Sequence, residues 1–165
     1  MRLRPYHRNA AVRYAHRWAY SRNPTFYDFS ELGGDCTNFV SQCIYAGSGV
    51  MNFTPTYGWY YINANEKAPA WTGVPYLSDF LLRDELTVGP KAELVGLEEL
   101  EIGDVVQLSF QGITYQHTAL IVAIASIPSP DAVLVAAHSV DADYRPLNTY
   151  DYQQIRCLHI VGTVV

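Results

Sequence analysis

The order of hydrophobic patterns predicts an α+β domain in which helices pack on an antiparallel β-sheet. Helical periodicity fills the first part of the chain, and apolar β-branched runs fill the second. The runs His117–Ile124 and Ala132–Ala137 are separated by Pro128-Ser129-Pro130-Asp131, a turn signal that makes them neighbours in an antiparallel hairpin.

From Arg8 to Tyr20, Ala11, Val12, Ala15, Trp18 and Ala19 fall on one side, with Arg13 and Arg17 opposite. That is an amphipathic helix of about three turns, ending before Asn23-Pro24. A loop from Thr25 to Leu32 leads into Gly33-Gly34-Asp35-Cys36, where a glycine turn delivers a cysteine to the start of a second helix. Asp35 is the expected N-cap, and Phe39, Val40, Cys43, Ile44 and Gly47 lie on one face. Between Gly47 and Val74 no period is sustained, which predicts an irregular insertion with one short helix, followed by a helix around Tyr76–Asp84. Strands are predicted at Asp104–Leu108, His117–Ile124, Ala132–Ala137 and Ile160–Val165.

The 165 residues suit one domain spanning 1–165, with a core that needs no staples. A 49% apolar composition with thirteen tyrosines excludes a disordered chain. The formal net charge of −5 argues against nucleic acid as a partner. Arg2, Arg4, Arg8, Arg13 and Arg17 give a local positive bias, read as a solvated helix face. No apolar run is long enough for a membrane span, and Met1-Arg2-Leu3-Arg4-Pro5 lacks the apolar stretch of a secretory signal. As it stands the chain reads as cytoplasmic, or as extracellular where it is a trimmed or processed form.

A thiol at a helix N-terminus meets free N–H groups and the positive end of the helix dipole, which favour the thiolate. This makes Cys36 the candidate nucleophile; the competing reading is a buried structural thiol. Cys43 lies two turns further along, too far for a disulfide, and both Cys43 and Cys157 read as small core hydrophobes. A cysteine nucleophile needs a base, and the base needs an orienting partner. Antiparallel pairing about the Ile127–Asp131 turn offers two registers: one sets His117 opposite His138, the other sets it opposite Asp141. No C-x-x-C pair and no His-Glu-x-x-His occurs, so neither a metal nor another cofactor is expected.

Tyr27 with Gly33–Gln42, then Leu100-Glu101-Ile102-Gly103-Asp104-Val105-Val106, His117-Thr118-Ala119-Leu120-Ile121-Val122 and Ala137-His138-Ser139, resembles the bacterial putative amidase domain family. That family is similar to NlpC-type cell-wall peptidases and, more distantly, to papain. The resemblance begins with Tyr6, Arg8, Ala11, Tyr14 and Ala15 and spans most of the chain. It implies a papain-like, NlpC-like fold with Cys36 as nucleophile, His117 as base and then acid, and His138 as the residue that orients it, Asp141 being the alternative third member. It further implies Tyr27 beside the nucleophile and the Cys36 N–H in the oxyanion hole. No papain-type glutamine precedes Cys36, so the second oxyanion donor is unassigned, and the stretch from the cysteine helix to Gly103 is longer than in minimal NlpC-type domains.

The implied activity is hydrolysis of an amide in a peptide or peptidoglycan fragment through a thioester. An acyl transferase, or a non-catalytic binding relative, is the alternative on the same fold. Trp59, Tyr60, Tyr61 and Trp71 either line a groove for the substrate or pack in the core. At least two of the four are expected in the core, Trp59 and Trp71 being the groove candidates, with Asp35 and Tyr27 supporting the site.

Overall fold

In a computed structural model of the chain, which describes residues 1–125 and 127–165, the elements run β1 (Leu3–Arg4), α1 (Arg8–Trp18), α2 (Cys36–Ser48), β2 (Tyr61–Asn63) and β3 (Glu66–Lys67). These are followed by α3 (Pro69–Thr72), α4 (Val74–Leu81), β4 (Gly89–Val95), β5 (Val105–Ser109) and β6 (His117–Ile124). The last three are β7 (Val133–Ala137), β8 (Ala142–Pro146) and β9 (Gln154–Val164). The architecture is α+β with an antiparallel sheet, as the order of patterns predicts. Seven strands form that sheet in the order β1-β9-β5-β6-β7-β8, with β4 on the other edge of β9. Strands β2 and β3 form a separate two-stranded ribbon in the stretch where the sequence has no clear period.

The helices cover one face of the sheet, and α2 is the central one. Eleven of its thirteen residues are buried, so its polar side chains must find partners inside the protein. They do: Ser41 Oγ donates to the Trp71 carbonyl and accepts from Trp59 Nε1, Gln42 accepts from the Tyr14 hydroxyl, and Asn38 accepts from Trp71 Nε1. Its far end stops at Gly49, which is left-handed (φ 73°) and donates its N–H to the Tyr45 carbonyl, the usual glycine termination. Gly47 lets α1 start against α2: a Cβ there would sit 2.5 Å from the Tyr6 ring.

The arginines of the first segment are not all a solvated face. Arg4 donates to the Ser48 carbonyl, and Arg8 reaches into the sheet, with Nη1 2.6 Å from Asp104 Oδ1 and Nη2 donating to the Ile160 carbonyl. Asp104 is fully buried and also accepts from the N–H groups of Glu101 and Ile160, while His159 Nδ1 lies 2.8 Å away. A buried carboxylate survives only with such partners. The Gly103-Asp104 pair is therefore the joint between α1, β5 and β9.

Two cores result. Phe39, Val40, Cys43 and Ile44 of α2 meet Ala11, Val12 and Ala15 of α1 and the sheet residues Val105, Leu120, Ala136, Leu158 and Ile160. On the other face, Val106, Leu108, Ala119, Ile121, Val135, Ala137 and Cys157 form a smaller cluster with Leu147 of the turn Leu147–Thr149. Alternate residues of β6 thus serve alternate cores, as strand geometry requires.

The β6–β7 register is neither of the two anticipated. Leu120 pairs with Ala136 and Ile121 with Val135; beyond the irregularity at Val122, Ala123 pairs with Leu134. This lies between the register that aligns His117 with His138 and the one that aligns it with Asp141, because the extra residue in β6 shifts the pairing partway along the hairpin.

Candidate active site

The Gly-Gly turn works by backbone conformation. Gly33 (φ 88°) and Gly34 (φ 100°) both adopt left-handed values that L-residues resist, and they reverse the chain into Asp35. Asp35 occupies the N-cap position, yet its carboxylate caps no helix N–H. Instead Oδ1 accepts from the Phe29 N–H and Asn38 Nδ2, and Oδ2 lies 2.6 Å from His138 Nδ1. Its own N–H donates to Ser139 Oγ, and Ser139 itself holds a positive φ of 88°. The aspartate fixes the turn that presents Cys36; the expected cap is displaced by a stronger set of buried partners.

Cys36 is the first residue of α2 and is 9% exposed. Its Sγ lies 3.7 Å from Thr37 Oγ1, and Thr37 is in turn 3.0 Å from Thr118 Oγ1 on β6. The backbone N–H of Thr118 favours the charged form of the sulfur. Burial nevertheless wins, and the thiol is raised above its ordinary value. The helix terminus therefore presents a thiol, where the sequence alone led to a thiolate.

His117, next to Thr118, opens β6 opposite Leu108. Its ring lies on the sheet face away from α2, with the Tyr150 ring 5.3 Å and the Phe110 ring 6.4 Å from it, centroid to centroid. Burial, and secondarily the charge of Arg145, lower its pKa to about 4, so the imidazole is neutral at neutral pH. Nε2 is buried and has no hydrogen-bond partner. Among the described residues no hydrogen bond joins Cys36 Sγ to this ring.

His138 is placed elsewhere. It stacks on Phe39 of α2 at 4.0 Å, with Nδ1 on Asp35 and Nε2 2.8 Å from the Trp18 carbonyl. Both ring nitrogens are thus engaged on the α2 side of the sheet, and the structure does not bring His138 against His117. Asp141 is gripped by Arg22, which donates Nη1 to Oδ2 at 3.0 Å and Nη2 to Oδ1 at 2.9 Å. That ion pair raises the Arg22 pKa. Neither candidate third member touches His117, because the register sets β6 and β7 differently from either anticipated pairing.

Tyr27 is half-exposed; its carbonyl accepts from Asn38 Nδ2 and its ring meets Phe29 edge-on. Trp59 and Trp71 have no exposed surface and lie 4.7 Å apart in the core, their indole N–H groups bonded to Ser41 and Asn38. They support α2 and line no groove, since a buried indole placed this way has spent both its area and its donor. Tyr150 was missed by sequence reasoning. It sits in Tyr150-Asp151-Tyr152, with no motif to single it out, and only the packing of the turn Leu147–Thr149 places it beside His117.

Fold and site define an α+β protein with a buried cysteine at the start of its central helix and, at the start of β6, a buried histidine whose Nε2 has no hydrogen-bond partner. The family described as "Putative amidase domain" matches residues 5–161, and the chain belongs to it. That membership points to amide hydrolysis as the class of reaction. "Uncharacterized protein YhbB" of Bacillus subtilis (strain 168) is 34% identical over 121 residues, covering 72% of this chain and 37% of that protein. The chain thus spans a little over a third of this relative's length. No solved structure matches. Among the described residues, no helix is long and apolar enough to cross a membrane.

Proposed function

We propose that the chain is a cysteine-dependent amide hydrolase related to the NlpC-type, papain-like peptidases, acting on a peptide or a peptidoglycan stem peptide, in the cell wall where that is its substrate. The observation that carries this reading is the meeting of α2 and β6: Cys36 opens α2, Thr37 after it lies 3.0 Å from Thr118 of β6, and the residue before Thr118 is His117 with its unpartnered Nε2.

The chemistry begins from a neutral pair. Burial holds Cys36 as a thiol and His117 as a neutral imidazole, so the proton moves at the moment of attack and no preformed ion pair is required. The His117 ring is buried against Tyr150 and Phe110, and its unpartnered Nε2 is the atom assigned to take the proton. Sγ then adds to the amide carbon while His117 accepts its proton. Collapse of the adduct expels the amine, protonated by His117, and leaves a thioester on Cys36. Water, deprotonated by His117, completes hydrolysis. His138, held by Asp35, positions the loop ahead of Cys36.

The test is turnover of a panel of peptide p-nitroanilides and peptidoglycan stem peptides by the native chain, Cys36→Ala and His117→Ala. The reading expects turnover by the native protein alone. Activity retained in Cys36→Ala overturns it, and a product carrying an added amine in place of water reassigns the protein as a transferase.

A further inference from the structure

We propose that the Tyr150 hydroxyl is a catalytic hydrogen-bond donor, binding the oxyanion that forms when Cys36 adds to an acyl carbon; this rests on Cys36 being the nucleophile. Two buried side-chain atoms on neighbouring rings have no hydrogen-bond partner, His117 Nε2 and Tyr150 Oη, and Thr118, next to His117, meets Thr37, next to Cys36, at 3.0 Å. The two rings are 5.3 Å apart. A buried phenol ordinarily finds a partner, so a hydroxyl left bare next to a bare imidazole nitrogen marks a place that a ligand's polar group completes.

The donor is held in place. Tyr150 follows the turn Leu147–Thr149, donates its N–H to the Leu147 carbonyl, and Leu147 is fully buried. The Arg145 guanidinium lies 3.6 Å above the centre of its ring, fixed there by Nε on Thr149 Oγ1 and Nη2 on the Thr149 carbonyl. A cation on the ring face draws charge from the phenol oxygen and makes its O–H a better donor. Burial raises the Tyr150 pKa above its ordinary value, Arg145 works against that rise, and charge at Cys36 adds to it, so the phenol keeps its proton. Of the other donors near the sulfur, the Asp35 N–H is already spent on Ser139. The Cys36 N–H supplies one bond to the developing oxygen and Tyr150 supplies the second.

In the step itself the Sγ–C bond forms, the carbonyl π electrons move to oxygen, and the sulfur's proton goes to His117. Tyr150 donates its hydrogen bond only to the charged oxygen and keeps its proton. When the carbonyl re-forms, the leaving group departs. A donor of this kind matters to acyl transfer and not to simple alkylation, in which no oxyanion appears.

The experiment compares two reagents on the native chain, Tyr150→Phe and Cys36→Ala. p-Nitrophenyl acetate reacts through an oxyanion and iodoacetamide does not, and mass spectrometry locates the adduct. Tyr150→Phe is expected to slow acetylation of Cys36 by about 100-fold while leaving the alkylation rate within about twofold. Because the hydroxyl has no partner in the free protein, the variant's unfolding midpoint is expected to equal or exceed the native one. Equal loss with both reagents, no loss with either, or a lowered midpoint overturns the assignment of Tyr150. A native chain that gains no acetyl group on Cys36 overturns the nucleophile reading first, and Tyr150 with it.

Discussion

His138 Nδ1 lies 2.6 Å from Asp35 Oδ2, and its Nε2 lies 2.8 Å from the Trp18 carbonyl. One ring ties the end of β7 to the end of α1 and to the residue that precedes Cys36. It does so inside the protein, with both side chains of the pair almost without solvent contact. Replacing His138 by alanine leaves a buried carboxylate short of a partner, which costs about 3 kcal/mol. Urea unfolding of His138→Ala measures this, and a loss below about 1 kcal/mol, the scale of a surface pair, contradicts it.

Asp104 has four partners from three parts of the chain: Arg8 Nη1, His159 Nδ1, and the N–H groups of Glu101 and Ile160. Asp104→Ala leaves the N–H groups of Glu101 and Ile160 without their acceptor and removes the carboxylate partner of Arg8 and His159. The expected loss is about 3–5 kcal/mol by urea unfolding, and an unchanged midpoint contradicts the joint assigned to it.

His117 gives stability a pH dependence of its own. Its pKa falls from 6.5 to about 4 on folding, so between these values the unfolded chain takes up the proton more readily. The contribution is fully present above about pH 6.5 and is lost as pH falls toward 4, reaching about 3 kcal/mol in all. His117→Gln is therefore expected to flatten the stability profile between pH 6.5 and 4 relative to the native chain. Parallel profiles for the two proteins contradict burial as the cause of the shift.

Trp71 supports α2 from the core. Trp71→Phe removes the indole N–H from Asn38 Oδ1 and opens space beside Trp59, lowering stability by about 1–3 kcal/mol. A tighter or looser KM with native stability is the opposite result, and it restores a groove.

What the sequence made legible is what has a clean period. Helices α1 and α2 and strands β5, β6 and β7 were evident because each buries a regular face or a whole run. Strand β4 was hidden by Pro90 and charged Lys91 and Glu93 on the sheet's margin, and β8 by its exposed, proline-ended run. The first half of β9 was hidden by polar residues that look like loop but are paired: Arg156 with Gln107 and His159 with Asp104. In the site, Cys36 followed from its glycine turn. The partner of His138 did not, since Asp35 is 103 residues away and a single irregularity at Val122 decides the register. Tyr150 carries no motif and acquires its place only from the packing of Leu147.

The most direct test of the account is the rate at which iodoacetamide labels each of the three cysteines across pH, in the native chain and in His117→Ala. Burial raises all three thiols, but Cys43 has no exposed surface and Cys157 lies in the second core, while Cys36 stands at a helix start with a histidine at hand. The account predicts that Cys36 is labelled at least about 10-fold faster than the others in the folded protein, and that His117→Ala slows it at neutral pH. Labelling of Cys36 no faster than Cys43, or at a rate indifferent to His117, contradicts a Cys36–His117 hydrolase.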